Sequence, residues 1–180
     1  EEIRRVVELL GKLEELVRIV GLSFDPGKPM RKTVTHRIKV YNAGGVTRYA
    51  TLTYRLDSVF EQLYVNKLRV LDGSGKLVSE GAVENYYVAD DTSTTDASNR
   101  KAVKIPVPGL KPGYTIECTL TREFAVPAKD MPFEQIVMAG DSPIQVSAFF
   151  VQGDVSHVKW KAANVSNVKH EDRLLYAVQK

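Results

Sequence analysis

The strongest alternation of hydrophobic and polar residues in the chain runs from Tyr114 to Val126. Its even-numbered positions are hydrophobic with the single exception of Arg122, and its odd-numbered positions are mostly threonine and glutamate. Because successive side chains of a strand point to opposite faces of a sheet, this pattern predicts a long strand with one buried face and one solvated face. Pro112 and Gly113, just before it, match the central pair of a type II turn. We expect the other strands to cover the buried face.

Shorter alternating segments precede and follow this strand. Residues 34–40 and 46–56 are predicted to form a hairpin around the Asn-Ala-Gly-Gly segment at 42–45. Residues 64–71 are predicted to return through a tight turn at Asp72–Gly75. Further strands are expected at 83–88, 103–107, 133–138, 144–151 and 155–162. The prolines at 106 and 108 favour an edge position for the strand at 103–107.

This arrangement of elements predicts a mainly β protein. About nine or ten short strands separated by turns are typical of a two-sheet antiparallel β-sandwich, which we place at residues 30–170. The strands do not alternate with helices, and this argues against a parallel α/β sheet.

The first 22 residues show a different periodicity. Their hydrophobic residues recur at intervals of three and four, which predicts an N-terminal amphipathic helix over residues 1–22. The positions that define the stripe are Ile3, Val6, Leu10, Leu13, Val17 and Val20. Such a helix either packs against its own domain, links it to a neighbour, or forms a homodimer through a coiled-coil seam.

Composition narrows the function classes. The chain has 180 residues, enough for one full core, and a net charge of +3, too small for a dedicated nucleic-acid binder. No hydrophobic run is long enough to insert into a membrane, and no signal peptide is recognisable. A single cysteine, Cys118, excludes an internal disulfide and any metal site with several cysteines.

The residues that could carry catalysis are poorly placed for it. Cys118 and His36 both fall on rows that point into the predicted core, where structural roles are commonest. The three histidines lack the spacing of a zinc site, and no phosphate-binding loop or hydrolase motif is present. We therefore expect no catalytic residues, no metal and no cofactor.

The best candidates for ligand binding lie near residue 90. Asp90 and Asp91 begin a polar run whose oxygen ligands could hold calcium, although a solvated loop is the simpler interpretation. Tyr86 and Tyr87, together with Trp160, could stack on a sugar or a peptide. Adjacent strand positions point to opposite faces, so one of the two tyrosines is expected to face the core.

The run from about residue 47 to 147 resembles the bacterial domain-of-unknown-function family 3857. The resemblance is carried by L-R-V-L-D-G-S-G-K-L-V at 68–78 and K-I-P-V-P-G-L-K-P-G-Y-T-I-E at 104–117. Asp90–Asp91 with Asn99–Arg100, Pro132–Phe133 and Ser142–Pro143 also match. It implies a periplasmic or secreted bacterial β-sandwich that precedes a transglutaminase-like domain of papain type.

Two classes of function follow. The first is a non-catalytic accessory or interaction module, whose partner is a downstream domain of the same polypeptide or another protein. The second is a carbohydrate- or peptide-binding domain, for which a flat row of exposed aromatics near Asp90 would speak. We do not expect an enzyme, because no nucleophile, base and orienting group can be assembled from these residues.

Overall fold

The computed structural model describes the protein at residues 13–91, 99–127, 129–139, 142–156, 158–165 and 167–179. In these residues we number the strands β1 to β11 and the single α-helix α1. The strands are β1 (Leu13–Phe24), β2 (Arg31–Val40), β3 (Thr51–Asp57), β4 (Glu61–Leu71), β5 (Leu77–Glu80), β6 (Tyr87–Asp90), β7 (Arg100–Pro106), β8 (Thr115–Phe124), β9 (Ile144–Gly153), β10 (Lys169–Glu171) and β11 (Leu174–Gln179). Helix α1 spans Ala43–Tyr49, and a 3-10 turn spans Val83–Asn85.

These strands form two sheets, as the sequence predicts. The large sheet has eight strands in the order β10-β11-β9-β1-β2-β8-β4-β5, and the small sheet has three in the order β3-β7-β6. Every pair is antiparallel except β1 and β9, which run parallel. The prediction of a mainly β, two-sheet protein is confirmed, and the prediction of wholly antiparallel pairing is wrong at this one pair.

Strand β8 lies near the middle of the large sheet, between β2 and β4. Its residues Ile116, Cys118 and Leu120 are buried, as their alternation predicts. The turn before it places Gly113 at a φ of 85°, and the Tyr114 amide donates to the Lys111 carbonyl at 3.1 Å. Glycine suits that backbone conformation because it has no Cβ to clash.

The hydrophobic core is divided along the large sheet. The first cluster draws on both sheets and contains Leu68, Val70, Ile105, Val107, Ile116, Cys118 and Leu120. The second cluster contains Leu22, Val151, Val155 and Leu175, with Ile136 and Val158 packed against it. A smaller third cluster joins Leu13, Ile38 and Val40 to α1. The small sheet therefore covers one half of a large-sheet face, and the segments around 136 and 158 cover the other half.

The predicted N-terminal helix is corrected by the structure. Residues 13–24 form strand β1, which pairs with β2 and β9. Residues 1–12, where the prediction begins, lie outside the described residues. Strand β1 carries hydrophobic residues on both faces, such as Val17 and Ile19 on one and Val20 and Leu22 on the other, so its apolar positions lose the period of two and can mimic a helical stripe. A helical seam through Leu13, Val17 and Val20 is therefore absent.

Five other strand predictions are corrected. Residues 83–85, predicted as the start of a strand, form a 3-10 turn, and β6 begins at Tyr87. The segment at 46–56 is not the second arm of a hairpin with 34–40. Its first residues belong to α1, which Asn42 caps by accepting from the Gly45 amide at 3.1 Å, and β3 pairs with β7 in the other sheet. Strand β7 is central rather than an edge, because it lies between β3 and β6. Pro106 is tolerated in it because β6 ends opposite Lys104, before Pro106 is reached. The segments 133–138 and 155–162 form no strand where they are described. Arg18 donates to the carbonyls of Val137 and Ala139, which gives that backbone a partner outside any ladder.

Candidate functional site

An open groove of about 380 Å³ lies between the small sheet and the β4 side of the large sheet. Its walls come from β3, β4, β6 and β7 and from the residue before β6. Most of the lining residues are hydrophobic, and two of them, Glu61 and Lys101, are charged. The lining residues are Leu56, Ser58, Glu61, Gln62, Leu63, Val65, Tyr86, Val88, Lys101 and Val103.

Strand register explains the wall on the small sheet. Val103 pairs with Tyr54 on one side and with Val88 on the other, and two residues earlier Lys101 pairs with Leu56 and Asp90. Because paired residues share a face, the hydrophobic row of this sheet ends at Lys101. The Lys101 Nζ lies 2.5 Å from the Asp90 Oδ1, and the hydrogen bond from that ammonium holds the pKa of Asp90 below its ordinary value.

Arg122 interrupts the hydrophobic row of β8, between Leu120 and Phe124. Its guanidinium donates from Nη2 to the Arg55 carbonyl at 2.8 Å and lies 3.5 Å from the Glu61 carboxylate through Nη1. Glu61 also accepts from the Asp57 amide at 2.9 Å. Since Arg55 belongs to the small sheet and Arg122 to the large one, this side chain joins the two sheets beside the groove.

The two predicted tyrosines face opposite ways, as expected of neighbours in an extended chain. Tyr86 is half-buried, packs against the first cluster and lines the groove. Burial raises the pKa of its hydroxyl. A side chain at residue 81 would collide with that hydroxyl, so Gly81 leaves the room in which Tyr86 lies. Tyr87 faces solvent with 54% of its surface exposed.

Asp90 and Asp91 each form an ion pair with a cationic side chain of the protein, and they do not surround an open site for a metal ion. The Asp91 side chain is almost fully buried and lies 3.2 Å from the Arg55 Nε, while Asp90 is exposed and pairs with Lys101. Among the described residues, no group of three or more histidine, cysteine, aspartate or glutamate side chains could hold a metal ion. Asp96, a further carboxylate of the polar run that begins at Asp90, lies outside them.

Trp160 does not join this site. It is about half exposed, and Val158, two residues before it, packs against the second cluster, formed on β1, β9 and β11. Tyr86 packs against the first cluster, formed on β4, β7 and β8. The described residues therefore show no flat row of exposed aromatics that unites Tyr86, Tyr87 and Trp160.

A buried polar cluster lies between the two main hydrophobic clusters. The Glu15 carboxylate is hydrogen-bonded to the His36 Nδ1 and accepts from the Arg18 guanidinium at 2.6 Å. Burial acts to raise the pKa of Glu15, but the hydrogen bonds from His36 and Arg18 outweigh it and hold that pKa below 4.5. Register also sets His36 opposite Cys118 on β8. A thiol, an imidazole and a carboxylate are thus neighbours on one face of the sheet.

The state of Cys118 decides what this trio can do. Only 2% of Cys118 is exposed, and burial raises the pKa of its thiol from 9.0 to about 12. A nucleophilic cysteine needs access to substrate and a lowered pKa. The cluster therefore has the composition of a thiol triad without a thiolate that a substrate could reach.

Sequence reasoning finds part of the groove and misses the rest. It selects Tyr86, which lines the groove, and Asp90, which pairs with the lining residue Lys101, but it selects neither Lys101 nor Glu61. Two signals in the sequence could have located these charged residues. One is Arg122, which interrupts a hydrophobic row, and the other is Lys101, which occupies the same alternating row as Val103 and the core residue Ile105. The groove has the lining to receive an amphipathic group, with its hydrophobic part against the aliphatic residues and its polar part near Glu61 or Lys101.

A family model with the description "Domain of Unknown Function with solved-structure structure (DUF3857)" matches residues 28–170. No curated protein sequence matches the chain. In the described residues, no helix has the length and apolar character needed to cross a membrane.

Solved structures share the architecture at low sequence identity. A "putative protease" from Parabacteroides distasonis is 11% identical over 93% of this chain, with a TM-score of 0.76, and the chain spans 34% of that protein. At this identity the likeness concerns the fold alone. An M1 zinc metallopeptidase from Deinococcus radiodurans is 14% identical, with 94% of this chain and 39% of that one covered and a TM-score of 0.42. A CBM3a-L domain from the Clostridium thermocellum scaffoldin is 12% identical, with 71% and 79% covered and a TM-score of 0.39. The last two scores are too low to support an argument.

Proposed function

Because the chain belongs to the family described as DUF3857, we propose that it is a non-catalytic accessory module of a larger bacterial cell-envelope protein. In this proposal the two sheets form a β-sandwich, and the module is periplasmic or secreted. It precedes a transglutaminase-like domain that carries a papain-type cysteine, histidine and aspartate. The module supports or docks its neighbour, and the neighbour performs the chemistry.

The observation that carries the proposal is the state of Cys118. It is the only cysteine of the chain, and it lies in the first hydrophobic cluster with its thiol pKa raised to about 12. At neutral pH such a thiol is protonated, whereas thiol chemistry requires the thiolate. His36, its cross-strand neighbour, is hydrogen-bonded to Glu15 through Nδ1. A reactive cysteine is therefore expected outside this chain.

Alkylation of the full-length polypeptide tests this expectation. Native protein treated with iodoacetamide at about pH 8 should be modified at a cysteine outside the present chain, because only an accessible thiolate reacts quickly. Cys118 should react only after urea unfolds the protein. Peptide mapping by mass spectrometry identifies the modified residue in each case.

The matched variant is Cys118→Ala, which removes the thiol and changes little else in the cluster. It should retain the activity of the whole polypeptide on peptide or amide substrates. Rapid alkylation of native Cys118, or loss of activity in a folded Cys118→Ala protein, would contradict the accessory role and favour the trio of Cys118, His36 and Glu15 as a catalytic site.

A further inference from the structure

The face of the large sheet that points away from the small sheet has two unlike halves. On β2, β8 and β4 it carries mainly polar residues, with Tyr64 and Leu71 as hydrophobic exceptions. The polar residues are Thr33, Thr35, Arg37, Lys39, Glu117, Thr119, Thr121, Glu123, Lys67 and Arg69. On β1, β9 and β11 it carries hydrophobic residues, which are Val17, Ile19, Val146, Ala148, Phe150, Tyr176 and Val178. We call the second set the apolar half-face.

Register places these side chains together. Val17 and Ile19 of β1 pair with Val146 and Ala148 of β9, and Ala148 pairs in turn with Val178 of β11. Paired residues share a face, so the three strands present one continuous surface.

Phe150 closes the surface at one end. It pairs with Tyr176 on one side and with Gly21 on the other. Its ring lies over Gly21, where any larger side chain would collide with it. The residue at the opposite corner, Val178, is 53% exposed.

The three core clusters of the described residues leave the apolar half-face out. None of its side chains belongs to those clusters, which lie on the opposite face of the large sheet. The polar half is suited to contact with water, and its side chains hydrogen-bond across the strands, as Thr33 and Thr121 do at 2.9 Å. Burial of hydrophobic surface is favourable, whereas burial of polar groups is costly, so the apolar half-face is the part of this sheet face that gains most from contact with another surface.

We propose that the apolar half-face is the docking surface for the neighbouring domain of the same polypeptide. This inference rests on the proposed accessory function and names the surface through which it acts. The partner surface is flat and hydrophobic, because a three-stranded sheet face offers no deep pocket for a charged group.

The size of the surface argues for a tethered partner. Three strands about 4.8 Å apart, each contributing about five residues at roughly 3.3 Å, present on the order of 250 Å². A stable interface between separate proteins buries about 800 Å² on each partner. A covalently linked domain has an effective concentration in about the millimolar range, so a smaller contact can hold it.

The topology also favours a partner on the C-terminal side. Strand β11 forms one side of the half-face, and Val178 is followed by Gln179, the last residue of that strand. A domain joined after it starts at this surface and needs only a short linker to reach it. A short linker keeps the effective concentration high.

Cysteine labelling in the full-length polypeptide tests the surface. Val178→Cys introduces a thiol in the apolar half-face, and Arg69→Cys introduces one on the polar half, where the Arg69 side chain is 47% exposed. The two sites have similar exposure in this chain, so they should react with a maleimide at similar rates if nothing covers either. We expect Val178→Cys to react roughly tenfold more slowly, because a docked domain must separate before the reagent reaches it.

The outcomes separate this inference from the proposed function. Equal labelling of the two thiols in a polypeptide that has a reactive catalytic cysteine elsewhere overturns the docking surface and leaves the accessory function standing. Slow labelling that disappears on dilution, together with a doubled mass in light scattering, assigns the half-face to a second copy and also overturns it. Absence of any reactive cysteine outside this chain overturns the accessory function itself.

Discussion

At the scale of single residues, Arg122 shows how a break in a pattern marks a contact between sheets. It occupies a position that the alternation of β8 assigns to the core, and its side chain is 34% exposed. An ion pair at such exposure contributes at most about 1 kcal/mol, so Glu61 alone does not explain a charge within a hydrophobic row. The hydrogen bond to the Arg55 carbonyl does, because it satisfies a backbone group of the small sheet with a donor from the large one.

Replacement of this guanidinium should therefore lower the stability through loss of the hydrogen bond to Arg55, and not through loss of the positive charge. We expect Arg122→Lys to lower the free energy of unfolding by about 1 kcal/mol, because an ammonium cannot reproduce the planar fork that reaches Arg55 and Glu61 together. The control is Arg37→Lys, at an exposed site 3.6 Å from Glu117, which should change stability by less than about 0.5 kcal/mol. Urea unfolding measures both. A loss that vanishes in about 0.5 M salt would assign the effect to charge instead.

At the scale of elements, the sequence predicts β8, which has one polar face, and fails for β1, whose two faces both carry hydrophobic residues. Strand β8 alternates cleanly because its outer row of Thr115 to Glu123 is polar. Strand β1 carries hydrophobic residues in the core and on the apolar half-face, so its period of two is lost and a helical stripe fits as well. The β-branched residues Val17, Ile19 and Val20 were the remaining sign of a strand.

Strand pairing was less predictable than strand position. The β4–β5 hairpin follows from the local turn at Asp72–Gly75, whose backbone is closed by the Gly75 amide donating to Asp72 at 3.0 Å. The pairing of β1 with β9 joins residues more than 120 positions apart, and no local signal encodes it. The same limit applies to the groove, because Glu61 and Lys101 come to line it only after the two sheets pack.

The turn before β8 provides a prediction at this scale. Gly113 has a φ of 85°, which costs other L-residues roughly 1–2 kcal/mol, so Gly113→Ala should destabilise the protein by about that amount. Gly73 lies in the β4–β5 turn, has no positive φ and meets nothing closer than 3.9 Å from a built Cβ. Gly73→Ala is therefore the matched control and should be neutral or slightly stabilising. Thermal or urea unfolding distinguishes the two, and equal effects would place the strain elsewhere.

At the scale of the whole molecule, the polar cluster of Glu15, His36 and Arg18 occupies the boundary between the two halves of the core. The first cluster lies under the small sheet, and the second lies under the segments around 136 and 158. Arg18 binds both Glu15 and the carbonyls of Val137 and Ala139, so one ionic group ties the covering segment to the large sheet. The ionisation of Glu15 is therefore expected to influence stability as a whole.

Acid should weaken the fold through this carboxylate. Glu15 has a folded-state pKa below its ordinary 4.5, because the bonds from His36 and Arg18 outweigh burial. Its stabilising contribution is therefore complete well above pH 4.5 and is lost as pH falls through the folded-state pKa, where the native state must also take up the proton. We expect urea unfolding between about pH 7 and pH 3 to show this loss in the native sequence.

Two variants isolate the effect of Glu15 from that of other carboxylates. Glu15→Gln should be less stable at pH 7 by about 2 kcal/mol, because charge-assisted hydrogen bonds to a buried group are lost, and its stability should fall less steeply below pH 4.5. His36→Asn keeps the carboxylate but removes one of its two partners, which raises the pKa of Glu15 toward 4.5 and moves the acid transition to higher pH. Parallel pH profiles for the native sequence and Glu15→Gln would show that this cluster does not control the acid stability of the protein. The covering segment around 136 would then be held to the large sheet by its hydrophobic contacts alone.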